Sequence, residues 1–169
     1  MYNDMAADNL TLQRIEKLHP KVREEVKKAY LHVNNKLLGK GVRLRFSHTL
    51  RSFEEQDKLY ALGRSTPGKK VTNARGGQSY HNYGLAFDIV LLVDKDNNGT
   101  FETASWDTKA DFDNDLQADW MEVTNYFKSI GWKWGGDFRS FKDYPHFEKT
   151  FGYSTSQLKD KYTNGYVVI

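Results

Sequence analysis

The stretch Leu85–Val93, LAFDIVLLV, limits the fold more than any other part of the chain. Aliphatic and aromatic side chains run through it with a single charge among them, a pattern that reads as a central strand. That one charge, Asp88, then sits where an unpaired carboxylate is expensive. A bound cation removes the expense, and so does a salt bridge. His81 stands seven positions earlier, with Gly84 between them to permit a tight turn from loop into strand. Far down the chain, DYPHFE at Asp143–Glu148 repeats the mixture of imidazole and carboxylate.

The chain has no cysteine, so a disulfide framework and a Cys-type zinc finger are both excluded. Any metal site must use His, Asp and Glu. His81, Asp88 and His146 supply the three protein ligands that zinc hydrolases use, with a position left open for water. The residues alone also allow a second reading, in which Asp88 is salt-bridged within its strand and the two histidines are polar caps.

Around the central strand the pattern is α+β, and 169 residues suit one domain. TLQRIEKLHP predicts a short helix that stops at Pro20. An amphipathic helix follows, with Val22, Val26, Ala29, Tyr30, Val33 and Leu37 on one stripe. VRLRFS alternates as a half-buried strand. Ser52 and Glu55 form a capping box for a helix that ends at Gly63. The glycine-rich, basic stretch after it has no periodicity. DWMEVTNYFKSI predicts a helix ending at Gly131, WKWGG and PHFEKT short strands, STSQLKDKY a Ser-capped helix, and GYVVI a terminal strand.

Charge is unevenly placed. Val93–Asp119 carries eight acids and two lysines, a balance of −6, so the rest of a +3 chain carries +9. A basic body suits an anionic partner such as nucleic acid or a bacterial wall. Lysines that only confer solubility fit equally well. The scattered basic residues come with no recognition motif, so nucleic-acid binding is not expected. No apolar stretch approaches a membrane span, and MYNDMAADNL lacks the basic start and apolar centre of a signal peptide. Synthesis in the cytoplasm without a signal peptide is the expectation.

S-x-H-x-x-G-x-A-x-D, met by Ser79, His81, Gly84, Ala86 and Asp88, resembles the signature of zinc peptidases that cut peptidoglycan peptides. These are the D-Ala-D-Ala carboxypeptidases and dipeptidases and the L-alanyl-D-glutamate endopeptidases, with a fold shared by the Hedgehog signalling domain. WGGDF, then DYPHFE, and HTLRSFEEQDKLYALGRS ahead of them, resemble the endopeptidase branch of phage endolysins and autolysins. The resemblance covers Leu10 to Leu158. It implies a small antiparallel sheet with helices on one side, and zinc held by His81, Asp88 and His146. It makes Asp143 the catalytic carboxylate and Arg51 the donor to the oxyanion, with Ser79 and Gln56 as substrate-positioning or supporting groups. It also implies action on wall stem peptides, most naturally at the L-Ala–D-Glu bond. The lack of a signal peptide fits a phage or prophage endolysin released through a holin, and a monomer is expected. A D,D- or L,D-carboxypeptidase on the same scaffold is the alternative enzyme. A zinc-containing wall-binding domain without catalysis is the alternative from another class.

The acidic insertion, residues 93–119, contains two stretches with calcium-loop spacing. DFDNDLQADWME places Asp111, Asp113, Asp115, Gln117 (through its backbone), Asp119 and Glu122 at loop positions 1, 3, 5, 7, 9 and 12. Leu116 stands where the sharp turn wants glycine. DKDNNGTFETAS has Asp94, Asp96, Asn98 and Gly99 in place, but Ser105 where the bidentate Glu belongs. Ca2+ binding and a solvated acidic loop are both open on spacing. Calcium-regulated phage members of the resembling branch imply an ion that orders this segment beside the groove and promotes activity.

Overall fold

A computed structural model describes residues 7–169. The first six residues, on which the reading of the N-terminus partly rests, lie outside it. In chain order the elements are α1 (Asn9–Ile15), α2 (Pro20–His32), β1 (Val42–His48), α3 (Phe53–Ala61), β2 (Ala86–Val93), β3 (Thr103–Ser105), α4 (Asp119–Ser129), β4 (Lys133–Trp134), β5 (His146–Glu148) and α5 (Thr155–Lys161). Single 3-10 turns cover Tyr80–Tyr83 and Gly135–Asp137. The architecture is α+β, as expected.

β2 is the centre of the sheet. β1 lies antiparallel along one edge, while β5 pairs with its first half and β3 with its second on the other edge. β4 completes the sheet beside β5. Register then sorts the side chains by parity. Val42, Leu44 and Phe46 sit opposite Val93, Leu91 and Ile89, and Phe87 sits opposite Phe147, all on the buried face. Phe46 and Phe147 both stack on Phe87, at centroid distances of 4.3 and 5.2 Å. Phe127 edge-on and Trp132 tilted close the cluster from the α4 side. Asp88 and His146 are paired across the strands on the opposite face. A bulge between Phe46 and His48 inserts one residue, so that His48 comes opposite Asp88 as well.

The sheet is held down at its first strand by α1. Thr11 Oγ1 accepts from the Phe46 amide at 3.0 Å and Arg14 donates to the Phe46 carbonyl at 2.6 Å. Asp8 grips Arg45 through two oxygens at 2.9 Å each.

Several expectations change. The first helix ends at Ile15 rather than running to Pro20, and the second passes into a π-helical turn over Val33–Leu37. β3 was not expected; its three residues carry no strand-length pattern. GYVVI is not a strand, since Tyr166 makes only an isolated bridge to Thr163 around Gly165. The Val167 carbonyl goes to the His19 ring at 2.8 Å instead of to a sheet edge, and the Val167 side chain is buried.

Candidate active site

The cleft forms where β2 begins. Ser79 caps the 3-10 turn that carries His81, with the reciprocal contact from Asn82. Gly84 ends the turn at φ +69°, and a side chain there would meet the backbone of Leu18 and His19. The chain then enters β2 and delivers Asp88 to the face away from the core. β5 delivers His146 to the same face from the other side.

Asp88 Oδ1 lies 3.1 Å from His81 Nε2 and 3.1 Å from His146 Nδ1. The outer nitrogens are also engaged: His81 Nδ1 with the Thr49 carbonyl at 2.7 Å, and His146 Nε2 with Glu148 Oε1 at 2.8 Å. A carbonyl and a carboxylate only accept, so each outer nitrogen carries a proton, and a neutral ring then has its lone pair on the inner nitrogen. The inner nitrogens are then left as lone pairs that face Asp88. Three acceptors thus face one point with no proton among them, the donor set that a metal ion satisfies. Without a cation the group must borrow a proton. Burial works against a charged His146, yet its bonds to Asp88 and Glu148 prevail and push it up to about 10. Burial likewise opposes the Asp88 charge, and the two histidines hold the carboxyl far below its ordinary range.

Other groups close around this point. Asp88 Oδ2 is 4.0 Å from an Arg51 nitrogen and 3.7 Å from His48 Nδ1. Asp143 stands half-exposed at the rim, 4.0 Å from His146 Nδ1, with its carboxyl raised by burial and then by the charge of Asp88. These residues, with Ser79, Leu59, Leu62, Val71 and Thr72, line a cleft of about 380 Å³.

The expected residues His81, Asp88, His146, Asp143, Arg51 and Ser79 therefore come together. Gln56 does not reach the cleft. It is fully buried, accepts from Arg51 Nη1 at 3.0 Å and donates to the Ala74 carbonyl at 2.9 Å, which fixes the guanidinium from behind. Trp134 belongs to the core and Asp137 pairs with Lys128. Sequence reasoning missed three contributors. His48 needed the bulge to be seen. Glu148 ends the DYPHFE stretch, and only the structure shows its bond to the outer nitrogen of His146. Asn82 holds the whole corner together: its amide nitrogen donates to the Arg51 and Ser52 carbonyls at 2.9 and 3.3 Å, and its oxygen accepts from the Gly77 and Ser79 amides. The S-x-x-N capping pattern was the available signal for Asn82.

The acidic insertion is not beside the groove, contrary to expectation. Asp94 N bonds to the Gly41 carbonyl, and Asp113 accepts from the Gly39 amide at 2.8 Å, both at the start of β1. From Val42 to His48 that strand runs about 20 Å at ~3.3 Å per residue, so the insertion and the cleft occupy opposite ends of the sheet. Asp111, Asp113, Asp115 and Asp119 approach one another, as do Asp94, Asp96 and Glu102. Asn98 bonds to Asp96 at the tip of its loop. Ser105 is in β3 opposite Leu91, so it contributes nothing to that group.

Comparison with known proteins agrees with this geometry. A family model described as D-alanyl-D-alanine carboxypeptidase matches residues 72–149, which include every residue from Ser79 to Asp88 and from Asp143 to Glu148. The peptidoglycan L-alanyl-D-glutamate endopeptidase CwlK of Bacillus subtilis is 43% identical over 131 residues, covering 78% of this chain and 72% of that protein. The crystal structure of the Serratia marcescens L-Ala D-Glu endopeptidase ChiX shares the fold, with a TM-score of 0.56 at 20% identity over 88% of this chain and 95% of that one. The chain belongs to the superfamily of zinc D-alanyl-D-alanine carboxypeptidases and L-alanyl-D-glutamate endopeptidases.

Proposed function

We propose that this chain is a peptidoglycan hydrolase that cuts the stem peptide at the L-Ala–D-Glu bond, with zinc held by His81, Asp88 and His146. The observation that carries the reading is the convergence of three lone-pair donors on the floor of a cleft whose walls hold Asp143 and Arg51. CwlK, the relative that covers most of the chain, supplies the choice of bond. When bound, zinc supplies Lewis acidity, which polarises the scissile carbonyl and acidifies water.

The chain's own groups do the rest. Asp143 takes a proton from the attacking water as the new C–O bond forms. It returns that proton to the amide nitrogen as the C–N bond breaks. Burial and then the charge of Asp88 raise its carboxyl above the ordinary value, which makes it a better proton acceptor. Arg51, fixed by Gln56, donates to the oxygen on which negative charge develops. Ser79 lines the cleft and also caps the turn beneath His81, so it sets the position of one ligand. Leu59, Leu62 and Val71 offer the peptide an apolar wall.

The test is digestion of isolated peptidoglycan by the zinc-loaded chain, with mass analysis of the fragments. Muropeptides with a newly exposed D-Glu amine confirm the bond. Release of free D-Ala indicates a carboxypeptidase instead, the reading favoured by the description of the matching family model. Asp143→Ala should retain zinc and lose hydrolysis by 100-fold or more, on the order of 10²–10⁴ for a general base. Hydrolysis that survives this substitution overturns the assignment of Asp143.

A further inference from the structure

The start of α4 contains a buried carboxylate with one oxygen that no hydrogen bond satisfies. Asp119, the first residue of α4, is 0% exposed. Its Oδ2 accepts from the Phe112 amide at 2.6 Å, but its Oδ1 has no partner. One oxygen of Asp119 lies within 4.8 Å of one oxygen each from Asp111, Asp113 and Asp115. Glu122 Oε2, one turn further along the helix, is also buried and without a partner. Among the described residues, no lysine or arginine pairs with any of these five carboxylates. An isolated buried carboxylate is costly, and like charges around it increase the cost. Burial and then Asp115 push the Glu122 carboxyl up to about 8, and burial pushes Asp119 up to about 6.

We propose that Asp111, Asp113, Asp115, Asp119 and Glu122 bind one calcium ion, and that this ion stabilises the fold without acting on the cleft. An all-oxygen set spread over a loop and the following helix turn suits the larger, more flexible coordination of calcium over magnesium. The backbone is already shaped for it. Asp111 accepts from the Asp115 and Leu116 amides, and Asn114 and Leu116 take left-handed φ values of +60° and +71°. Leu116 thus adopts the turn usually given to glycine, with its side chain 95% exposed. Asp113 also ties the loop to Gly39 ahead of β1. An ion here joins the start of α4 to the start of the sheet, at the end remote from His81 and His146. The loop at Asp94 repeats the same backbone pattern, through Asn98 and Gly99 onto Asp94, but it has no buried unpartnered carboxylate and is not included. The proposal does not depend on the hydrolytic reading.

The experiment is titration of CaCl2 into the zinc-loaded full chain, previously freed of calcium, followed by calorimetry and by thermal melting. Calcium at about 100 times its dissociation constant should raise the melting temperature by about 5 °C or more. The same concentration of magnesium should raise it by less. Asp115→Asn should lower calcium capacity by one equivalent and remove the rise. Its calcium-free melting temperature should equal or exceed that of the parent chain, because a repulsive charge has gone. Asp119→Asn, which keeps an oxygen for Phe112, should behave likewise. Hydrolytic turnover well below the melting temperature should stay within about twofold with and without calcium. Binding undiminished in both variants, or no calcium binding up to about 10 mM, overturns the site. Turnover that follows calcium overturns the separation from the cleft.

Discussion

Glu148 offers a direct test of how the metal centre is built, because among the described residues its side-chain hydrogen bond goes to the outer nitrogen of His146. Its Oε1 accepts from His146 Nε2 at 2.8 Å, and the side chain is 13% exposed. That bond keeps the proton on Nε2 and leaves Nδ1 free to face Asp88. A hydrogen bond to a charged group contributes about 1.5–3 kcal/mol. Each tenfold change in affinity corresponds to about 1.4 kcal/mol, so Glu148→Ala should weaken zinc binding by about 10- to 100-fold. Water has little access to replace the carboxylate, which places the loss toward the upper end. Glu148→Gln keeps an accepting oxygen but not the charge, and should lose about tenfold or less. Competition for zinc against a chromogenic chelator measures both constants without reference to hydrolysis. Melting of the metal-free variants checks that β5 remains paired. Zinc affinity within twofold of the parent in Glu148→Ala would refute the claim that this bond sets the tautomer of His146.

Two further substitutions examine the frame around the site. Asn82→Ala removes four hydrogen bonds and strands the buried Gly77 amide, so it should lower the unfolding free energy in urea by about 3 kcal/mol; a loss below about 1 kcal/mol contradicts its bridging role. Asp8 behaves differently with pH. Burial would raise its carboxyl, but Arg45 and Thr11 outweigh that and lower it below 3.8. Its contribution is therefore complete above pH 3.8 and is lost as pH falls through the depressed folded value. Asp8→Asn should cost about 2 kcal/mol at pH 7, and the two urea midpoints should converge in stronger acid. A gap that stays constant with pH contradicts the ion pair as its source.

What the sequence made legible follows a physical rule. LAFDIVLLV declared the central strand because eight apolar residues around a single aspartate leave little else for the backbone to do. Ser52 and Glu55 declared a helix start because both halves of the capping box are local, and both contacts are present. The residues at the floor and rim of the cleft were legible through the ordered sequence blocks that carry them. The groups behind them were not. Glu148 reaches the outer nitrogen of His146 from two residues along the same strand, a contact that means nothing until His146 is known to turn its other nitrogen toward Asp88. The role of His48 depends on a bulge in β1 that leaves no local trace. The terminal VVI looked like a strand because apolar character says nothing about whether a sheet edge is within reach. In the acidic insertion, spacing found the carboxylates but could not give their distance from the cleft, and the proximity inferred for them was wrong.

Parity explains why the core and the candidate metal site cannot be separated. Strand side chains alternate, so Phe87 and Ile89 face the packed interior only if Asp88 faces away from it. Slipping β2 by one residue would put a carboxylate against Phe46 and Phe147 and turn phenylalanine toward His81. The aromatic stack across β1, β2 and β5 therefore does more than bury area: it selects the register in which Asp88 comes opposite His146. The bulge applies the same logic on the other edge, since an unbroken β1 would set Ser47 rather than His48 opposite Asp88. The geometry of the donors is in this sense a consequence of hydrophobic packing one residue away on each strand.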